Sequence, residues 1–306
     1  MSGSADAARA PGPAKAARAS GSAEAPGSFV RIGGVPHHVV VEGGGPVCVL
    51  TAGLGMAWFD WDAVAALLAP HRTVVRFDRP GLGLSGPAAV QPSLTGEADR
   101  IARVLDACGL RGPVTVAGHS LGGFHAEAFA RLHPARTAGL ALIDSSVETA
   151  ARPRPAPAVR TGLTRVAAGA LGAAGVPYAL GPLGRRAAFR LTRGRRGGDP
   201  APYALVRRTY ATGRSLRAML AEHTTYPDVA AQLVCVRRQF PLPDGIGATV
   251  LAAGADPRWQ ARQLALAGEL GADFRRCPDA SHLVMLDRPE DVAEAVLSVG
   301  RAEMTA

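Results

Sequence analysis

Ser120 stands between Gly118 and Gly122 in the stretch VAGHSLGGFHAEAFA, where a strand-like apolar run gives way to helical spacing. A strand that turns sharply into a helix leaves no room for side chains two positions before and after the turning residue. The residue at the apex is then held in a strained backbone conformation above the sheet. Here PVTVAG supplies the strand and LGGFHAEAFARL the helix, whose N-terminus favours negative charge developing beside the serine. The placement points to a nucleophile. A serine hydroxyl attacks a carbonyl carbon only when a base removes its proton, and that base needs a carboxylate to fix its tautomer and stabilise its positive charge. Of the eight histidines, His282 is the candidate base. It lies in a loop that opens at Pro278-Asp279, between the last strand-like run and a terminal helix beginning near Pro289. His119 adjoins Ser120, but neighbours at such a turn point apart, so it is expected to pack. His125, in the following helix, is expected to pack as well.

These groups need a frame. SFVRI and HHVVVE read as a strand pair joined by GGVP. PVCVLTA, RTVVRFD, PVTVAG, TAGLALID and ATVLAAG are apolar runs of strand length. WFDWDAVAALLA, LTGEADRIARVLDACG, LGGFHAEAFARLHP and RPEDVAEAVLSVGRA have helical spacing. Buried strands alternating with amphipathic helices predict an α/β fold, a mostly parallel sheet with helices on both faces. The alternation breaks over residues 147–246, too long a segment for a loop, which predicts an inserted, mainly helical cap. Within it VAAGALGAAGVPYALGPLG reads as a poor, broken helix, a lid over an apolar pocket, with contact to a membrane surface as the alternative use. Residues 28–146 and 247–306 form the core, and residues 1–27, mostly Ala, Gly, Ser and Pro with scattered charges, read as a disordered tail.

Six stretches, in one order along the chain, carry a resemblance. They are LTAGLGMAWFDW at 50–61, DRPGLGLSG at 78–86, GHSLGG at 118–123, LALIDSS at 140–146, GADPRW at 254–259 and DASHLVMLDRPEDVAEAV at 279–296. With them the chain resembles the α/β-hydrolase superfamily, in its serine-nucleophile, esterase/lipase-like branch. The resemblance implies that fold and a triad in the order Ser120, Asp256, His282. Asp256 closes the run TVLAAGAD just before Pro257. Asp144 is the alternative acid, because some members carry theirs at the end of that preceding strand. The implied oxyanion hole is the backbone N–H of Leu54 and of Leu121. Ala52-Gly53 stands where many members have His-Gly, which removes a side chain that helps hold the loop. The implied reaction is hydrolysis of a carboxylic ester, or related acyl bond, of a small hydrophobic substrate through an acyl-enzyme, with no metal and no organic cofactor. A slow-turnover or non-catalytic ligand-binding or signalling protein on the same fold is the alternative, and thioester, peptide and carbon–carbon substrates stay open.

Other features are bounded by composition. Gly81 to Gly86 spells the GxGxxG of dinucleotide sites, but Asp78-Arg79-Pro80 precedes it and Pro87 and Pro92 delay any helix until about residue 94; a true fingerprint opens a helix at once. Cys48, Cys108, Cys235 and Cys277 show no metal or redox spacing, and Cys48 and Cys108 are expected to be buried. The chain is 47% hydrophobic and carries a net charge of +9, with one lysine, Lys15, and no asparagine. Residues 151–220 hold fourteen arginines and one acid, Asp199. Such a segment is expected to be either a solvated surface or a weak contact for an anionic surface, with no motif for specific nucleic-acid binding. No apolar run is long enough to cross a membrane and no secretory signal is visible, so a cytoplasmic location is expected. The expected partner is a small ester-like molecule; oligomeric state leaves no trace in the sequence.

Overall fold

A computed structural model describes residues 25–299. The tail expected over residues 1–27 lies outside the described residues as far as residue 24. Pro26, at its end, is held to the core by a hydrogen bond of 2.8 Å from His38 Nε2 to its carbonyl.

The seven strand-like runs become β1 (Ser28–Ile32), β2 (Val35–Gly43), β3 (Val47–Thr51), β4 (Thr73–Phe77), β5 (Val114–His119), β6 (Thr137–Ile143) and β7 (Gly247–Ala253). An eighth strand, β8 (Asp273–Cys277), has the charged sequence DFRRC and was not expected. They form one sheet in the order β1-β2-β4-β3-β5-β6-β7-β8. The β1–β2 and β2–β4 pairs are antiparallel, and every other pair is parallel. All six residues of β5 are buried, as a central parallel strand covered on both faces requires. From β3 the chain steps to β4 on one side and, later, to β5 on the other. The loops leaving β3 and β5 therefore diverge, and a crevice opens at the carboxyl edge between them.

Helices cover both faces. Val64 and Leu68 of α1 (Asp62–Leu68) share a core cluster with residues near the C-terminus. The opposite face buries Ile101 and Leu105 of α2 (Leu94–Ala107) and Phe124 and Phe129 of α3 (Leu121–Leu132). Helix α2 opens at Ser93, whose side chain accepts from the Gly96 N–H, so the prolines before it do delay the helix to residue 94. Between β6 and β7 the expected insertion holds α4 (Pro157–Ala173), α5 (Val176–Arg193), α6 (Tyr203–Tyr210) and α7 (Gly213–Gln239). The stretch read as a broken helix is the end of α4 and the start of α5. Its break is confined to Ala174-Gly175, where Gly175 takes φ 73° and the two axes meet at 102°. Pro177 falls in the first turn of α5, where no N–H is needed. Val229, Leu233 and Val236 of α7 are buried in the main core cluster, and each buried side chain of this size contributes roughly 1.5–3 kcal/mol. The C-terminal part of α7, within the predicted cap, is thus anchored in the core. The chain closes with α8 (Pro257–Leu270), α9 (Val284–Asp287) and α10 (Pro289–Ser298). Cys48 is fully buried, and burial pushes its thiol up to about 12, whereas Cys108 is only half-buried.

Candidate active site

Ser120 sits between β5 and α3 with φ 53° and ψ −123°, a conformation an L-residue adopts only under constraint. The flanking glycines show the constraint. A Cβ on Gly118 would run into the Gly122 carbonyl, and one on Gly122 into the Thr51 carbonyl at the end of β3. The serine is half-buried, and its own carbonyl accepts from the Ser146 N–H at 3.1 Å.

The carboxylate that meets His282 is Asp144, not Asp256. His282 Nδ1–H donates to Asp144 Oδ2 at 2.6 Å. The other oxygen, Oδ1, accepts from Ala253 N–H at 2.8 Å and from Trp259 Nε1–H at 2.7 Å. Asp144 closes β6 in a left-handed turn, φ 41°, and is buried; aspartate is among the few side chains that tolerate such a turn. Asp256 is exposed, and its carboxylate caps α8 by accepting from the Arg258 N–H at 3.0 Å. The Asp-Pro pair at 256–257 is a helix start, with aspartate at the N-cap and proline at the first helical position. That is why it does not reach the histidine.

His119 packs, as its position at the turn implies, and it does so on the histidine loop. Its Nε2–H donates to the His282 carbonyl at 2.7 Å, and the two rings lie 4.7 Å apart. Burial, and then the neighbouring His282, push its pKa well below the usual histidine value, so it holds that carbonyl as a neutral ring. His125 is also buried, and burial followed by Arg79 and Arg100 lowers its pKa in the same way. Asp287 secures the loop from the other end. Its Oδ2 accepts from the Ser281 N–H at 2.8 Å and from Ser281 Oγ at 2.5 Å, while Oδ1 accepts from Arg193 Nε on α5 at 2.7 Å.

Burial alone would raise the Asp287 pKa, but the bonds from Ser281 and Arg193 outweigh it and leave it below the usual carboxylate value. A carboxyl with a depressed folded pKa contributes its stability above its unfolded pKa, about 4, and loses it as the pH falls through the folded value. Asp287→Ala is therefore expected to lower stability by about 1.5–3 kcal/mol at pH 7, with the difference from wild type shrinking below about pH 4. Denaturant unfolding across that range checks this; a difference independent of pH would refute it.

The loop after β3 carries Leu54. Arg79 grips it with a fork: Nη1 donates to Ala52 O at 2.6 Å and Nη2 to Gly53 O at 2.7 Å. Arg79 Nε and Nη2 also donate to Glu222 of α7, at 2.6 and 3.0 Å. Glu222 Oε2 in turn accepts from the Gly55 N–H at 2.8 Å, and Tyr210 of α6 donates to the Gly55 carbonyl at 2.9 Å. The peptides on both sides of Leu54 are thus fixed, which supplies the support that Ala52-Gly53 lacks in sequence. Among the described residues no protein acceptor takes the N–H of Leu54 or of Leu121. The adjoining glycine-rich turn is folded around Asp78, whose carboxylate accepts from Trp58 N–H and Leu84 N–H, both at 2.9 Å. A Cβ on Gly83 would overlap that carboxylate. The turn thus closes on a carboxylate, and the next helix opens only at Leu94.

A cavity of about 470 Å³ begins at Leu54 and runs under the cap, walled by Met56, Leu180, Phe189, Leu216 and Met219. Among the described residues no group of three or more His, Cys, Asp or Glu side chains is placed to hold a metal ion.

Glu222 and Asp287 were not singled out in the sequence. Asp287 lies within the 279–296 stretch, five residues past His282. A buried arginine such as Arg79 demands a carboxylate, but nothing in the sequence says that the partner is 143 residues away.

The model of the Alpha/beta hydrolase family matches residues 48–295. Among curated proteins, the chain is 34% identical over 113 residues to polyketide synthase ThaQ of Burkholderia thailandensis, a match covering 37% of this chain and 5% of that one. Among solved structures, wild-type Cfl2 of Burkholderia cenocepacia superposes with a TM-score of 0.70 at 24% identity, covering 89% of this chain and 95% of that one. The enol-lactonase of Burkholderia xenovorans LB400 superposes with a TM-score of 0.62 at 21% identity, covering 89% and 99%.

Proposed function

The chain belongs to the alpha/beta hydrolase family, and from that premise we propose that it cleaves a carboxylic ester with a hydrophobic acyl or alcohol part, through an acyl-enzyme on Ser120. The observation that carries the reading is the bond from His282 Nδ1–H to the buried Asp144 carboxylate. With Nδ1 committed as donor, Nε2 is the ring atom left to accept a proton, at the same sheet edge as the strained Ser120. In this reading Ser120 Oγ attacks the ester carbon as its proton passes to Nε2, and Asp144 stabilises the imidazolium. The N–H groups of Leu54 and Leu121 take the developing oxyanion, a donor of this kind contributing about 3–4 kcal/mol to the transition state. Nε2 then protonates the leaving alcohol, and afterwards takes a proton from the water that releases the acid. The apolar cavity beginning at Leu54 supports a hydrophobic substrate.

Intact-mass spectrometry after treatment with a fluorophosphonate tests the nucleophile. Wild type is expected to gain one adduct and Ser120→Ala none. An adduct that persists in Ser120→Ala, or none on folded wild type with either a bulky or a small phosphonate, would overturn the reading and favour a ligand-binding protein.

A further inference from the structure

Helices α4 and α5 each pack one face against the rest of the chain. On α4, Thr161, Thr164, Ala168 and Gly172 face α7, and Thr164 Oγ1 meets Thr224 Oγ1 at 2.8 Å. On α5, Pro177, Arg185, Phe189 and Arg193 are buried. Half a turn away, helical spacing puts Val159, Leu163 and Val166 on one outward stripe, exposed by 59, 67 and 72%. Leu180, Leu183 and Leu191 form the outward stripe of α5, exposed by 57, 56 and 83%. A helix that only faces water carries polar groups there.

The polar groups around these stripes are almost all arginine. The one acid between residues 151 and 220, Asp199, is tied beneath Arg185 by bonds of 2.7 and 3.1 Å. Among the described residues only Arg160, Arg185 and Arg193 of the fourteen arginines pair with a carboxylate. Arg190 and Arg195 are exposed next to the aliphatic stripes without such a pair, as is Arg165, which also borders the cleft between α4 and α7. A solvated arginine surface accounts for the charge but not for the six protruding aliphatic side chains.

We propose that the outward faces of α4 and α5 dock on an anionic lipid surface. Aliphatic side chains that project from a helix enter the boundary between headgroups and acyl chains, and guanidinium groups beside them meet the phosphates. Both requirements are met on one pair of helices. No single helix among the described residues is long and apolar enough to cross a membrane; the bent pair α4 and α5 passes that test only when taken together, which fits helices that lie on a bilayer. A polyanion such as DNA would satisfy the arginines and leave the aliphatic stripes in water. Leu180 belongs to the outward stripe and also walls the cavity. Docking would therefore set one wall of the cavity at the interface where an apolar ester accumulates. That last consequence rests on the ester reading; the docking itself does not.

Co-sedimentation of the full chain with vesicles tests the docking without any turnover. Binding is expected on vesicles of phosphatidylcholine mixed with phosphatidylglycerol, and about tenfold weaker or less on phosphatidylcholine alone or in high salt. Joint Leu163→Ser, Val166→Ser, Leu183→Ser and Leu191→Ser is expected to weaken it by about tenfold, as is joint Arg165→Gln, Arg190→Gln and Arg195→Gln. Unfolding midpoints matching wild type show that the variants fold. Wild type that ignores anionic vesicles would overturn the proposal. So would binding that the serine variant leaves unchanged, or duplex DNA held as tightly as the vesicles, either of which makes the surface a polyanion site.

Discussion

Asp144→Asn is expected to fold and to lose about 10³- to 10⁴-fold in kcat, while Asp256→Ala keeps turnover within about twofold and loses only the roughly 0.5–2 kcal/mol of a helix cap. The first loss follows from counting donors. Asp144 Oδ1 accepts from two N–H groups, Ala253 and Trp259, so an asparagine in its place must turn its only oxygen toward them. Its NH2 then faces His282 Nδ1 and demands an acceptor there. The ring answers by carrying its proton on Nε2, the wrong tautomer for accepting one from Ser120. Geometry survives and the base is lost. The hydrolysis rate of a chromogenic ester, with kcat and KM separated, checks both variants. Wild-type kcat in Asp144→Asn, or a loss above tenfold in Asp256→Ala, would return the acid to Asp256.

The same two residues show where the sequence is readable. Ser120 stands out because its constraint is local, glycines that a tight turn forces on the chain, and His282 because its place between the last strand and the last helix matches that of the family's histidine. Asp144 and Asp256 cannot be ranked that way. They follow neighbouring parallel strands, β6 and β7, with Ile143 paired to Leu251. Each has a local role that explains it, one in a strained strand end and one at a helix cap. What decides between them is tertiary: Asp144 is the carboxylate within reach of His282, with Trp259 and Ala253 supplying the donors that orient it. The central strands were legible because a buried parallel strand is a continuous apolar run, edge strand β8 was not because DFRRC is charged and mostly unburied, and the cap was legible only as an interruption. Its helices carry few apolar residues at core spacing. Its outward faces are aliphatic, so periodicity alone does not tell inner from outer.

Glu222 is the residue whose importance is least visible in sequence, and its loss is expected to be large. Glu222→Ala leaves Arg79 buried without its carboxylate and the Gly55 N–H without an acceptor, a change of the kind that costs about 3–5 kcal/mol in stability. The catalytic effect is separable from that cost. Removing one oxyanion donor outright lowers kcat by about 10²–10³; freeing the loop that aims Leu54 displaces the donor instead, so a loss of about 10- to 100-fold is expected. Substrate binding in the apolar cavity does not use that N–H, so KM should move little. Affinity for a tetrahedral analogue such as a boronic acid should fall in step with kcat, because the analogue, unlike the ester, carries the developed oxyanion. Glu222→Gln keeps an oxygen for Gly55 or for Arg79 but not the charge for both, so it should recover part of kcat. If a folded Glu222→Ala protein keeps wild-type kcat, the cap does not position the oxyanion loop. If KM rises while kcat falls, the residue shapes the cavity instead. A parallel loss of kcat and analogue affinity would mean that the cap, by way of Glu222 and Arg79, is part of what makes the site a catalyst.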